Sequence, residues 1–482
     1  MSTVLLESLS AWWPEATLSL GGLLTVLLGV RAGRASRGTP AMATAWLTVL
    51  ASGLLLFAAP APDGTELFFG LIVADPFSLV IRWVAWGAIA LTLLLIQASD
   101  EFTDTTRGEA AGLVLLIGVG LMLMAEANHL LMAYVAMELV SLSSYVLVGF
   151  LDEPRSSEAS LKYFLFGALA SGLMLFGMSL LFGITGALSF PELRQATAGL
   201  TGPLQGALLM AMSLLLAGLA FKISMVPFHM WTPDAYEGAP VPITALLSVG
   251  PKAAGFALLV RLMEALGAAW PMTEPLLLWL TVLTMTLGNL VALAQTNVKR
   301  LLAYSTIGQV GYLLIGFAVK SSWSLQGLLL YLIAYLFMNL GAFACVVAVV
   351  RETRSESVEA FRGLARRAPG MALLFAVFLL SLAGIPPLLG FFGKALLFGA
   401  ALEAHRPWLA IAGIVNSAIA LYYYVNLIRL MYLHEPEAAI PLRPPAAVRV
   451  ALAVCGTGTI VLGLFPQPLL AWLAVHAVVN LL

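Results

Sequence analysis

The sequence predicts an all-α polytopic membrane protein of about fourteen transmembrane helices, with two inverted five-helix repeats and two proline-broken helices. Three observations carry that prediction. The 482 residues are 61% hydrophobic and only 10% charged, with a mean hydropathy of +0.97, whereas a soluble domain is nearer ~25% charged. Apolar runs of spanning length follow one another with short connections, leaving no room for a large soluble domain. Two of those runs are interrupted by proline, at Pro227 and at Pro386–Pro387; proline removes a backbone donor and clashes with the preceding turn.

In chain order the runs fall at 16–30, 41–59, 76–97, 109–126, 128–150, 158–186 and 205–230. They continue at 241–266, 275–294, 299–319, 324–350, 370–402, 408–432 and 446–465. The start, MSTVLLESLSAWWPEA, has neither a basic region nor a clear cleavage site, so the first helix is expected to be a retained anchor. The tail at 467–482 follows Pro466 and Pro468 and is expected at the interface or against the last span.

After the run at 109 comes the order short, long, proline-broken, long, and the same order follows the run at 275. The expected organisation is therefore 1–108 as three N-terminal helices, 109–266 as the first five-helix repeat, 267–432 as the second, and 433–482 as the last helix and tail. Five is odd, so the two copies must enter the membrane from opposite sides.

Arginine and lysine in the connections set the orientation. With the N-terminus outside, inside connections hold Arg31, Arg34, Arg37, Arg107, Arg155, Lys299, Arg300, Arg351, Arg354, Arg362, Arg366, Arg367, Arg443 and Arg449. Outside connections then hold only Arg194, Lys320 and Arg406. Both termini are expected outside.

Other function classes find little support. A formal net charge of −1 gives no sign of nucleic-acid binding. Cys345 and Cys455 both lie in apolar runs, without disulfide or metal-ligand spacing. Nucleotide-binding glycine loops and CxxC pairs are missing from the sequence, so redox chemistry and cofactors are expected off this chain, and no metal site is expected on it.

The chemistry concentrates in residues 220–256, AFKISMVPFHMWTPDAYEGAPVPITALLSVGPKAAGF. Lys222, His229 and Lys252 lie here in membrane-spanning sequence, where an ionised group costs at least ~2.5–3.5 kcal/mol. Glu138 in LLMAYVAMELVSLSSYVL, Lys162 one turn into the next run, and Lys394 after the second break complete the set of buried candidates. The plain alternative for each is a structural ion pair or a side chain snorkelling to the interface. His229 reads equally as a satisfied core residue or a proton relay. Arg82, Arg261 and Arg429 lie toward run ends and read as interfacial anchors; Trp12, Trp13 and Trp270 fit an aromatic belt. Burial weakens the proton affinity of an amine and a nearby carboxylate restores it. A lysine whose carboxylate approaches and retreats can therefore take and release a proton. Sodium or potassium would want clustered oxygen ligands instead, so the cationic set favours protons.

The motif FKISMVPFHMWTPDAYEGAPVPITALLSVGPKAA resembles the core of the antiporter-like subunits of respiratory complex I and of the multi-subunit cation/proton antiporters. PFHMWTPDAYEGAP, SLKYFLFGALASG and KRLLAYSTIGQVGY are most similar to the branch called subunit N of NADH:quinone oxidoreductase, over about residues 109–432. The resemblance implies a fourteen-helix membrane-arm subunit beside other antiporter-like subunits, in a bacterial inner (plasma) membrane. It implies that NADH, FMN, iron–sulfur clusters and quinone are bound by partner subunits. It also implies a proton path through Glu138, Lys222, Lys252 and Lys394, with Lys162 near the carboxylate and His229 after the break. A lysine at 394 separates this branch from subunit M, which resembles it but carries glutamate there. Gln309 is a departure, since related chains often have a histidine at that point.

Three functions compete. The first is a proton-translocating subunit driven by redox chemistry elsewhere in its complex. The second is a subunit of a cation/proton antiporter or of a membrane-bound hydrogenase. The third, a stand-alone transporter, should show a polar substrate pocket, and no such cluster is visible.

Overall fold

The computed structural model describes residues 2–32, 39–59, 63–267, 270–436 and 441–479; Arg34 and Arg37 lie outside them. A short α1 (Ser2–Ala11) precedes α2 (Trp13–Ala32) and α3 (Thr39–Ala58). A hairpin of β1 (Thr65–Leu67) and β2 (Ile72–Ala74), antiparallel with Glu66 opposite Val73, leads into α4 (Pro76–Ala98). Next come α5 (Thr106–Glu126), α6 (Leu130–Val148), α7 (Pro154–Thr185), α8 (Phe190–Ala198), α9 (Pro203–Ile223), α10 (Trp231–Gly238) and α11 (Val241–Ala265). The second half holds α12 (Trp270–Ala292), α13 (Val298–Ala318), α14 (Ser324–Thr353), α15 (Leu364–Arg367), α16 (Pro369–Ala383), α17 (Leu389–Glu403) and α18 (Pro407–Leu433). The last helices are α19 (Ala446–Leu464) and α20 (Gln467–His476).

Among the described residues, 13 helices are long and apolar enough to cross a membrane. The pair α16–α17, interrupted at 384–388, supplies one further crossing, which matches the expected count. Helices α11 and α13 are almost wholly covered and form the centre of the bundle. By contrast α2, α7 and α18 turn most of their surface outward, with Leu27, Leu169 and Ile411 exposed for lipid or a partner. The tail helix α20 packs on α4 and α14. Small residues let helices meet backbone to backbone: a Cβ on Gly288 would come 2.4 Å from the Gly308 nitrogen.

Helix starts follow their capping residues. Asp75 and Ser78 form a capping box on α4, with Pro76 in its first turn. The Asn297 side chain accepts from the Lys299 and Arg300 amides at the start of α13.

The two interruptions differ from the simple proline break. Helix α9 stops at Ile223 because Ser224 turns left-handed at φ 66°, and the Met225 amide returns to the Ala220 carbonyl at 2.8 Å. Helix α16 stops at Ala383 because Gly384 does the same at φ 92°, with the Ile385 amide on the Leu380 carbonyl at 3.0 Å. Both are Schellman-type ends, and the prolines follow the stop without causing it. A left-handed residue other than glycine costs roughly 1–2 kcal/mol, and a Cβ at Gly384 would also lie 2.9 Å from Lys394 Cδ. Gly384→Ala is therefore expected to lower the thermal unfolding midpoint of the purified protein. Gly370→Ala, whose Cβ meets open space, should leave the midpoint near that of the parent.

Candidate functional site

The site grows out of the first interruption. Lys222 is the last-turn basic residue of α9, beside the negative end of the helix dipole. Its ammonium is buried and donates to Ser141 Oγ of α6 at 3.0 Å. Glu138, one turn earlier on α6 and expected to be buried, is only half-buried within this chain; it does not pair with the lysine within 4.0 Å, and its carboxylate accepts from Ser171 of α7. The carboxylate and the lysine thus face one region, each with its own hydroxyl. His229 is buried in the connection to α10, and its Nδ1 finds no protein partner among the described residues.

Lys252 sits on α11, directly after Pro251. Proline there has no N–H for the Leu247 carbonyl, and the Lys252 ammonium donates to that carbonyl at 3.1 Å. It also donates to the Tyr236 hydroxyl at 2.7 Å and lies 4.9 Å from the Trp231 ring centroid. Trp231 in turn donates to the Phe221 carbonyl at the end of α9, tying the two lysine environments together. Lys394 is in the other half. It donates to the Ala383 carbonyl at 3.1 Å and to Ser417 at 3.2 Å, and stands 4.0 Å over the Tyr312 ring.

Between the halves lies Gln309 of α13. Its amide donates to the Leu382 carbonyl and to the Tyr424 hydroxyl, both at 3.1 Å, and its oxygen accepts from Tyr331. One turn back, Thr306 accepts from Tyr335 at 2.8 Å. A buried polar line therefore runs from Lys252 toward Lys394. The hydroxyls of Ser141, Ser171, Tyr236 and Ser417 were not identifiable as partners beforehand, because serine and tyrosine in apolar helices carry no spacing signal.

Several expectations need correction. Lys162 is not buried within this chain: its side chain is 43% exposed and pairs with Glu158 at 2.8 Å and Asp234 at 3.0 Å. Lys299, counted with the loop cations, is buried against Glu356 and the Ala239 carbonyl. Arg82 and Arg261 are not interfacial anchors. Arg82 grips Glu15 with two bonds of 2.8 and 2.9 Å and meets Glu126 at 3.2 Å, while Arg261 pairs with Asp75 at 2.7 Å. All five are buried. Distance from the run centre misled the reading, since helix ends here are covered by neighbouring helices. Arg429, by contrast, is exposed as expected, and Trp270 is covered by Phe317. Cys345 and Cys455 are buried free thiols. Among the described residues, no group of three or more His, Cys, Asp or Glu could hold a metal ion.

Comparison with known proteins places these residues in a family context. Residues 127–420 match the family described as NADH:quinone oxidoreductase/Mrp antiporter, transmembrane. An Anaeromyxobacter protein named NADH-quinone oxidoreductase subunit N is 40% identical over 498 aligned positions, covering 96% of each chain. A chain of respiratory complex I from Thermus thermophilus has a TM-score of 0.81 at 34% identity, covering 96% of this chain and 99% of that one. A chain of the Mrp complex from a Dietzia species also gives 0.81, at 24% identity, a likeness of fold alone.

The buried Arg82 cluster yields a stability test. Removing one partner of a buried ion pair typically costs ~3–5 kcal/mol, because the other charge is left uncompensated. Arg82→Met is expected to depress the thermal midpoint and the amount of protein in the membrane. Adding Glu15→Gln and Glu126→Gln to it should recover much of that loss.

Proposed function

The chain belongs to the NADH:quinone oxidoreductase/Mrp antiporter transmembrane family, and from that premise we propose that it is a proton-translocating membrane-arm subunit of an NADH:quinone oxidoreductase. Its relatives carry the name subunit N along almost their whole length. Other membrane-arm subunits, including antiporter-like ones, are among its partners, and NADH, FMN, iron–sulfur clusters and quinone are bound by other subunits of the complex. The protein sits in a bacterial inner membrane with both termini outside, an orientation supported by the gathering of Arg107, Arg155, Arg300, Arg351 and Arg354 in the connections of one face.

The observation that carries the reading is the set of solitary buried lysines, Lys222, Lys252 and Lys394, each held by neutral oxygens. A lysine locked in an ion pair keeps its proton. One held by hydroxyls and carbonyls in low dielectric can lose it when a second positive charge comes near. Glu138, with Ser171 as its present partner, is the carboxylate that can swing toward Lys222. Lys162 with Asp234 sets the charge at the start of this path, and His229 lines the break. The protein does no redox chemistry of its own; it moves protons in response to its partners.

Helices α5–α11 and α12–α18 are read as two repeats of opposite insertion. Matching hydrogen bonds support this. In the first half the Leu130 amide meets the Leu188 carbonyl and Phe190 meets Asn128; in the second Val298 meets Glu356 and Val358 meets Thr296. Each pair ties the start of the second helix to the end of the third. Five crossings separate the two ties, so they lie on opposite membrane faces.

Lys222→Met in the assembled complex, reconstituted in vesicles, tests the function. Proton accumulation per NADH oxidised is expected to fall, with the pumping rate down at least about tenfold. Unchanged pumping would remove Lys222 from the path and the reading with it.

A further inference from the structure

Away from the lysine line, the outer helices enclose an apolar groove of about 520 Å³. We propose that this groove is a binding site for one anionic phospholipid, with an acyl chain lying along α4 and the phosphate held by Arg443 and Arg449.

The groove follows α4 from Val80 to Leu94, with α14 at Ile333 and Phe337 and α19 at Val450 and Val454 as its walls. Fourteen residues of helix rise about 21 Å, so a volume of that size is a slot roughly 5–6 Å across. A helix with its side chains is ~10–12 Å wide and does not enter such a slot; a single hydrocarbon chain does. Close helix contact makes the floor: a Cβ on Gly87 of α4 would come 3.0 Å from Leu336 Cδ2 of α14. The lining residues are aliphatic, phenylalanine, tryptophan or glycine. The Trp86 indole donates to the Val49 carbonyl at 2.9 Å and the Trp46 indole to Gln97 at 3.2 Å. Water in such a slot would lack the two to four partners it needs, whereas an alkyl chain needs none.

The charge lies at one end of the groove, beyond Leu94 and Gln97, and it is positive. Arg351 stands fourteen residues after Phe337 on α14, close to four turns, and so continues the groove face of that helix. Arg351 and Arg354 share one carboxylate, that of Asp100, at 3.2 and 3.4 Å. Glu352 is about 100° round the helix from Arg351. Arg443 precedes α19 and Arg449 lies in its first turn, one residue before Val450. Both are exposed, and neither side chain has an acidic partner among the described residues. Guanidinium forks match phosphate oxygens, and basic side chains at a bilayer edge attract anionic headgroups. A zwitterionic headgroup would bring a cation of its own into the same field. The slot fixes the chain, and the arginines select the headgroup.

The test uses the assembled complex in membranes given trace photoactivatable lipids, phosphatidylglycerol or phosphatidylcholine, each with a diazirine on one acyl chain. Crosslinked peptides are located by mass spectrometry. Phosphatidylglycerol is expected to label the peptides holding 80–94 and 450–454 at least about fivefold more than phosphatidylcholine. In the double variant Arg443→Gln, Arg449→Gln that preference should vanish while labelling by both lipids persists. Ala90→Trp, which places an indole in the slot, should suppress labelling by either lipid. Equal labelling in the parent would mean ordinary bilayer contact without a site, and an unlabelled groove would mean that protein covers it; each outcome overturns the proposal, as does a preference that survives the double variant. The two arginines are exposed, so the double variant decides the matter even where Ala90→Trp fails to assemble. None of these readouts depends on proton pumping, so the lipid site stands or falls apart from the functional reading.

Discussion

The constraint on which this structure depends is that two helices end inside a membrane. Each end releases carbonyls that lipid cannot satisfy. At α9 the Phe221 carbonyl takes the Trp231 indole, and at α16 the Leu382 and Ala383 carbonyls take Gln309 and Lys394. Pro251 frees a fourth acceptor, the Leu247 carbonyl within α11, and Lys252 fills it. Two of the three central lysines thus serve as caps for broken backbone. Their positions follow from the breaks as much as from any chemistry they perform, and the same carbonyls that hold them give no negative charge to trap the proton.

Buried charge is of two kinds here, and geometry separates them. The Arg82–Glu15–Glu126 and Arg261–Asp75 groups are close ion pairs joining α2, α4, α5 and α11. Guanidinium groups do not exchange protons near neutrality, and their forked bonds fix one arrangement. They fasten the N-terminal helices to the rest of the bundle. The lysines touch hydroxyls, carbonyls and aromatic faces, partners that tolerate either protonation state. A count of buried charges would treat both kinds alike; the partners show which can work.

Much of the fold was legible because spanning helices need length and apolarity, and the chain supplies both with little else. The α16–α17 interruption was visible through Pro386 and Pro387, although the stop itself is made by Gly384. At α9 the stop is Ser224, and no sequence rule gives a serine a left-handed backbone in advance. The site was legible where charge stands out against apolar sequence, at Glu138, Lys222, Lys252 and Lys394. Lys162 looked buried because its neighbours in the sequence are apolar, but Leu161, Phe164 and Leu165 face outward beside it. Arg82 and Arg261 looked peripheral because position along a helix says nothing about what covers its end. Pairing is a property of packing, and spacing along the chain does not reveal it.

The link between the two halves is the place where a plain relay of titratable groups breaks down. Gln309 cannot titrate, both hydrogens of its amide are engaged, and its oxygen already accepts from Tyr331. A side chain so occupied does not pass a proton along. It does transmit position: one amide joins α13 to the broken end of α16 through Leu382, to α18 through Tyr424 and to α14 through Tyr331. Any shift of α16, whose last carbonyl also holds Lys394, must pull on that amide and on the Thr306–Tyr335 bond one turn away. The two halves are thus tied together by hydrogen-bond geometry at a single amide. Such coupling suits a subunit that must respond to events in neighbouring chains, because displacement and charge travel through packed helices where a chain of titratable groups does not.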